Sequence, residues 1–332
     1  MSSQNNLEDV SYVRLFEHFY KGKRISHETT PRSKQDKPPR IFFEGSMHGN
    51  EITELHISQS LIKKLLFKGE ELPNLCPFRI LHMELLRDTK FEPSISMLYG
   101  LYFEQGYLGK SAYDEKIELP KSKKDGSKLT AEKRIDEAIL RAKRISSKHD
   151  IIVLDNNVQI KASKEWRPKD PKKFTWFKIF INGVSDVITP FSFEGTSYPI
   201  CCVDVKLAGD RDLCYVDKYE PWKTFPWGCP EEMDHTQATM YDELFGMPFA
   251  YLIFDYRKDD PGYKVIPVLT MHGYPNDKTA IERHRSLHRD IEWVVTKIVM
   301  WNEEKWPKEL SNACLKCPVK SCEFYHKHTQ II

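Results

Sequence analysis

The stretch Ser197-Tyr-Pro-Ile-Cys-Cys-Val-Asp-Val-Lys-Leu-Ala-Gly209 decides how the rest of the chain is read. It is an apolar, β-branched run with two charges near its end, Asp204 and Lys206. The period of a strand puts those two side chains on one face and Val205 on the other. Working outward, similar runs lie at 150–156, 158–163, 173–183, 186–193, 249–257 and 263–270. They are β-branched and aromatic, and Asn, Gly, Pro and Asp separate them, which predicts a series of strands. A helical segment at 231–246 falls within the series, and a long helix over 276–304 follows it. Ile281, Leu287, Ile291, Val294, Val295 and Ile298 mark the buried stripe of that helix.

The N-terminal half is less regular. Residues 8–20 read as a short helix, followed by a polar stretch over 26–39. Ile52, Leu55, Ile62, Leu65 and Leu66 fall at helical spacing, so a buried helix beginning near His48 is expected. The segment 78–86 fits strand or helix, and 99–110 is rich in aromatics. The run 121–148 holds ten Lys or Arg against four Asp or Glu, a local charge of +6. Its second half places Ile135, Ala138, Ile139, Ala142 and Ile145 on one helical face, with Thr130 as the N-cap. Two readings fit the run, a solvated amphipathic helix or a basic surface that meets phosphate.

Helix, insert, strands, helix, strand and helix in that order predict an α/β protein. A mixed central sheet would be flanked by helices. The divisions expected are 1–67, an N-terminal helical part carrying His48; 68–150, a basic and largely helical insertion; 151–304, the core; and 305–332, a cysteine-rich tail.

Composition bounds the function without naming it. The 332 residues carry 50 Lys and Arg against 48 Asp and Glu, so a nucleic-acid footprint has to be local. With 40% hydrophobic and 30% charged residues, the chain is neither disordered nor collagen-like. No apolar run approaches the roughly 18 residues of a membrane span. The first twelve residues contain no apolar signal core, which points to an intracellular, cytoplasmic protein.

Four short signals occur in order: Gly45-Ser-Met-His48 opening a helix, Gly183-Val-Ser-Asp186 between two strands, Asp204-Val-Lys206 ending a strand, and Gln237-Ala-Thr-Met-Tyr241 on a helix. Each alone is weak. Together they assemble two carboxylates and an imidazole, good ligands for Mg²⁺ or Mn²⁺, beside a lysine that can orient or deprotonate water. This is equipment for phosphodiester hydrolysis.

The order and spacing resemble the PD-(D/E)XK nuclease superfamily and, within it, the RecB-like exonuclease branch. The resemblance rests on His48, Asp186, Asp204, Lys206, Gln237 and Tyr241, and on a Gln-x-x-x-Tyr helix beginning 33 residues after Asp204. It implies a restriction-endonuclease-like core and a metal-dependent deoxyribonuclease. His48, Asp186, Asp204 and the Val205 carbonyl would ligate Mg²⁺ or Mn²⁺, and Lys206 would act on the attacking water. Gln237 would hold Lys206 or the substrate, and Tyr241 would contact the DNA backbone or support the site. Asp204 stands where many members carry Glu, a substitution common in this branch. The implied partner is DNA, as a single strand or a duplex end. A CRISPR-associated exonuclease that trims DNA for integration and a non-catalytic DNA-binding module are the alternatives. Self-association and recombination or CRISPR proteins stay open as partners. Glu51, Asp217, Glu220, Asp234 and His235 also lie near these motifs.

Cys314, Cys317 and Cys322 crowd into nine residues, which in an intracellular chain reads as metal binding. Two sets fit. With His326 they make a four-ligand zinc site, Cys-x2-Cys-x4-Cys-x3-His. The resemblance instead implies a four-iron four-sulfur cluster whose fourth cysteine lies upstream. The first cysteine in this chain is Cys76, the candidate for that place, with Cys229 a remoter one. Cys201 and Cys202, inside an apolar strand, read as packing residues.

Overall fold

The computed structural model describes residues 38–44, 51–73, 75–89, 93–111, 116–122, 126–209, 233–256, 261–308, 310, 314 and 317–325. The expected fold class holds: a mixed sheet lies between two layers of helices. The strands are β1 (Ile41–Phe43), β2 (Ile52–Ser58), β5 (Val158–Glu165), β6 (Lys178–Phe193), β7 (Thr196–Ala208), β8 (Phe249–Asp255) and β9 (Tyr263–Val268), and a separate small ribbon pairs β3 (Leu66–Phe67) with β4 (Glu70–Glu71). The sheet runs β1-β2-β6-β7-β8-β9, with β5 also on β6. The pairs β2–β6 and β7–β8 are parallel and the rest antiparallel.

One helical layer holds α1 (Gln59–Leu65), α5 (Thr236–Phe245) and α6 (Lys278–Glu303). Their Leu61, Leu65, Ala238, Phe245, Ile291 and Val294 bury against Leu55, Ile57, Ile179, Ile181 and Ile253 of the sheet. A short helix α2 (Pro77–Ile80) continues as a π-turn over Leu81–Leu86. It resolves the undecided segment 78–86 as helical. The opposite layer is α3 (Ile95–Leu108) with α4 (Thr130–Ser146), whose Phe103, Tyr107, Ile135 and Ile139 pack on Val203, Val205, Leu252 and Phe254. Within the 68–150 stretch, α3 and α4 therefore cover one face of the sheet, while Ile80, Leu81, Leu85 and Leu86 join the core on the other. Each of the Val, Leu, Ile and Phe side chains among these contributes about 1.5–3 kcal/mol by leaving water.

Four local expectations change. The buried helix expected from His48 is instead strand β2, followed by a seven-residue helix that Ser58 caps by accepting from Leu61 N. Ile52 and Leu55 suit helical spacing, but Leu55 and Ile57 alternate with Glu54 and His56, and the parallel pairing with β6 decides for a strand. Second, 178–183 and the run 186–193 belong to one strand, β6, so Gly183-Val-Ser-Asp186 lies inside it rather than between strands, while 173–177, expected as strand, form a turn and bend before it. Third, the run 150–156 is not a strand: 151–154 are irregular and 155–157 form a turn. Buried Asn157 donates to Ile152 O and Ile188 O and accepts from Leu154 N, and so satisfies backbone groups that a strand partner would otherwise take. Fourth, Leu129 rather than Thr130 occupies the N-cap of α4. The long helix over 276–304 is α6, capped by Asp277 accepting from Ala280 N. The expected helix over 8–20 lies outside the described residues.

Candidate active site at an opening in the sheet

The site arises from how β6 shares its edges. Val187 pairs with Val158 of β5 on one edge and Val203 of β7 on the other. Strand β2 pairs with residues 178–182 on that second edge, because β5 already holds the first. Among the described residues, 183–186 thus have no strand beside them on the second edge, and past Val203 strand β7 continues along β8 alone. Asp186 fills the opening. Its Oδ2 accepts from Val205 N at 2.8 Å, so a side chain takes the place of a ladder bond. Extending the β6–β7 register by one step sets Asp186 opposite Asp204.

Helix α5 closes the opening from one side. Gln237 is buried and its Nε2 donates to Asp204 Oδ1 at 2.5 Å. The partner is Asp204, where Lys206 or the substrate was expected. Tyr241 is buried, stands edge-on to Phe245 and Phe249 at 5.9 and 5.8 Å, and hydrogen-bonds the Val184 backbone. It supports the wall of the site. Gly183 permits this, since a Cβ there would lie 2.8 Å from both Tyr241 Cε1 and Leu244 Cδ1. Asp234 starts the helix by accepting from Thr236 N, and His235 occupies the N-cap position.

Lys206 Nζ stands 2.5 Å from Asp204 Oδ2. Asp204 is 2% exposed and Asp186 8%, whereas the Lys206 side chain is one-third exposed and reaches solvent. Asp204 Oδ2 is thus engaged by the Lys206 ammonium. Burial, and then the Asp204 charge, push the Asp186 carboxyl up to about 7. Burial opposes the charge on Lys206, yet Asp204 and Asp186 outweigh it and hold the amine above its usual range. Gln159 Nε2 reaches Asp186 Oδ1 at 3.4 Å from a backbone φ of +52°, a costly conformation for a non-glycine residue within a strand. Two crowded, buried carboxylates that share one ammonium suit a hard divalent cation.

The structure thus brings together Asp186, Asp204, Val205, Lys206, Gln237 and Tyr241 from three elements. His48 lies outside the described residues, as do Asp217 and Glu220. Glu51 is exposed. Reading by motif missed Glu104 of α3, whose charge bears on Lys206 from the other helical layer. It is the lone acidic residue of the aromatic run 99–110, and that isolation was the available signal. In the basic run, Lys121 pairs with Glu132 at 2.9 Å and Lys128 with Asp136 at 2.6 Å, so these lysines hold carboxylates of α4.

A second polar cluster lies further along α5. Glu243, His284 and His288 offer ligand atoms within 4.8 Å of one another. His284 Nε2 is 2.7 Å from Glu243 Oε2, Lys164 pairs with Glu243, and Trp166 Nε1 donates to His288 Nδ1 at 2.9 Å. Burial notwithstanding, the hydrogen bonds from His284 and Lys164 draw Glu243 down to about 2.

The tail cysteines meet a distant one. Cys76, just before α2, lines one small cavity with Cys314, Cys317 and Cys322, walled by Phe78 and Val319. The tail is held there by Phe78 N donating to Pro307 O at 3.4 Å and by Lys308 over the Phe78 ring. No three of these four sulfurs lie within 4.8 Å of one another. His326 and Cys229 lie outside the described residues, and Cys201 and Cys202 are buried in the sheet, as packing residues would be.

No family model matches the chain, and no curated protein matches it. Among solved structures, the chain is similar to one named "Putative exonuclease" from Eubacterium rectale, at 17% identity over 79% of this chain and 87% of that one, with a TM-score of 0.47. A second, SSO0001, is 13% identical over 80% of this chain and 96% of that one, with a TM-score of 0.26.

Proposed function

We propose that this chain is a Mg²⁺- or Mn²⁺-dependent deoxyribonuclease, an exonuclease of the RecB-like kind working inside the cell on DNA ends. One observation carries the reading: Asp186 and Asp204 are buried together at the opening in the sheet, two acids that share the single ammonium of Lys206. Asp186 and Asp204 would hold the cation, with the Val205 carbonyl, Glu104 and His48 as further candidate ligands. When bound, a divalent ion supplies Lewis-acid polarisation of the phosphate and of a water.

The protein groups do the rest. In hydrolysis water adds to phosphorus, the bond to the leaving sugar oxygen breaks, and that oxygen takes a proton. Lys206, held charged by its two acidic neighbours, places a cation where negative charge builds on the phosphoryl oxygens. Gln237 keeps Asp204 in one orientation, and Tyr241 holds α5 against β6. Among the described residues no helix is long and apolar enough to cross a membrane. The test is digestion of labelled single-stranded and duplex oligonucleotides with Mn²⁺ or Mg²⁺. Asp204→Ala should abolish cleavage and Lys206→Ala should lower it at least about 100-fold, both with unchanged circular dichroism. Full activity in folded Lys206→Ala protein would reject the assignment.

For the tail, four cysteines around a cavity favour the iron–sulfur cluster over zinc. Tetrahedral zinc with Zn–S bonds of about 2.3 Å needs sulfurs about 3.8 Å apart, closer than any three of these come. Protein purified without oxygen should be brown and contain iron, and Cys76→Ser should bleach it. Colourless protein with one zinc, unaffected by Cys76→Ser, would return the site to Cys314, Cys317, Cys322 and His326.

A further inference from the structure

Between β5 and β6 the chain makes a loop that the chemistry above does not use. Its sequence, Lys164-Glu-Trp-Arg-Pro-Lys-Asp-Pro-Lys-Lys-Phe-Thr-Trp-Phe-Lys178, holds six Lys or Arg against two acids, a local charge of +4. Trp176 is 62% exposed, the most exposed of the large apolar side chains among the described residues. Leaving an indole in water is unfavourable, and nothing in the fold requires it there. The ring is nevertheless held. Phe177 and Phe174 flank it, with centroids at 5.7 and 6.1 Å, and Phe177 is anchored in the core.

The loop is also clamped to helices. Lys164 pairs with Glu243, Trp166 donates to His288, and Lys173 pairs with Glu292 at 2.5 Å. This explains the Glu243–His284–His288 cluster without a metal: an indole N–H can only donate, so it occupies the lone pair His288 would offer an ion. Lys169, Lys172 and Lys178 remain exposed and make no ion pair among the described residues. A fixed aromatic face beside unpaired cations matches the two chemical features of an unpaired nucleotide, a base face and a phosphate.

We propose that the β5–β6 loop is a stacking platform for single-stranded DNA, with Trp176 against a base and Lys169, Lys172 and Lys178 at phosphates. The proposal rests on the nuclease reading for its substrate. Trp176 lies in the turn just before β6, whose first residue, Lys178, is eight residues from Asp186, so the two are on the order of 30 Å apart if the chain runs on at strand rise. The platform would therefore hold a strand well away from the cut, on the order of ten nucleotides at duplex-like spacing. Since the loop is already ordered, little conformational freedom is lost on binding.

The test is anisotropy of fluorescein-labelled (dT)20 titrated with full-length protein in EDTA, where binding needs no cleavage. Trp176→Ala should weaken binding about ten-fold, Trp176→Phe should keep most of it, and a blunt duplex should lose little, because its bases are already stacked. Replacing Lys169, Lys172 and Lys178 by Gln should reduce the salt slope by about 2. Unchanged (dT)20 affinity in Trp176→Ala overturns the platform, and so does an equal loss on blunt duplex. Conversion of a dimer to a monomer by Trp176→Ala, with DNA binding intact, would overturn it in favour of a protein contact. The two readings fail separately: an active nuclease indifferent to Trp176→Ala sinks the platform alone, and tight Trp176-dependent binding without cleavage sinks the nuclease alone.

Discussion

Helix α5 serves two polar clusters of opposite character. Gln237, near its start, faces Asp204 and Asp186, where two acids share one ammonium and the Asp186 carboxyl is pushed up to about 7. Glu243, near its end, gives one oxygen to Lys164 and the other to His284, and its carboxyl is drawn down to about 2. Both clusters hold acids and nitrogen bases at close range. What separates them is satisfaction. At Glu243 every charge has a partner inside the protein, so the cluster staples α5, β5 and α6 together. At Asp186 and Asp204 the fold has crowded like charges and left them short of positive charge. A protein keeps such an arrangement where something from outside completes it.

The largest expected contrast is between activity and stability. Asp204→Ala should remove cleavage with little loss of stability, since it also removes a crowded buried charge. Glu243→Ala should cleave normally while its thermal midpoint falls by a few degrees, about 1–2 kcal/mol for the stranded Lys164 and His284, both part-exposed. Melting curves and oligonucleotide digestion on the same preparations measure both, and lost cleavage in Glu243→Ala would erase the distinction.

The smaller contrast is in pH. Asp186 has a folded-state pKa raised above its unfolded value, so its contribution is greatest below about pH 4 and is lost as pH rises through about 7. Glu243 is depressed, so its contribution is present above about pH 4.5 and is lost as pH falls toward about 2. In EDTA, Asp186→Asn should raise the melting midpoint at pH 8 and flatten its decline from pH 4 to 7. Glu243→Gln should flatten only the decline below pH 4.5. Identical slopes in both variants would show that the clusters do not differ as their geometry implies.

Strand β7, helix α5 and helix α6 were readable because each follows one local period. Asp204 and Lys206 two apart, and Gln237 and Tyr241 four apart, define their faces without reference to the rest of the chain. Strand β2 was misread because Ile52, Leu55 and Ile62 satisfy the helical period as well, and only the neighbouring β6 selects the pleat. Asp186 was found as a motif residue but placed in a turn, since the opening in the sheet depends on where β2 stops and β7 begins.

By itself, then, the order of residues determined which side chains are candidates for chemistry and which local element bears most of them, because strand and helix periods are properties of neighbouring residues. Tertiary structure alone decided who meets whom: Gln237 with Asp204, Glu104 near Lys206 across the sheet, Cys76 beside a tail more than two hundred residues away. Those encounters depend on how layers stack and where sheet edges are left open, and no spacing along the chain encodes that directly.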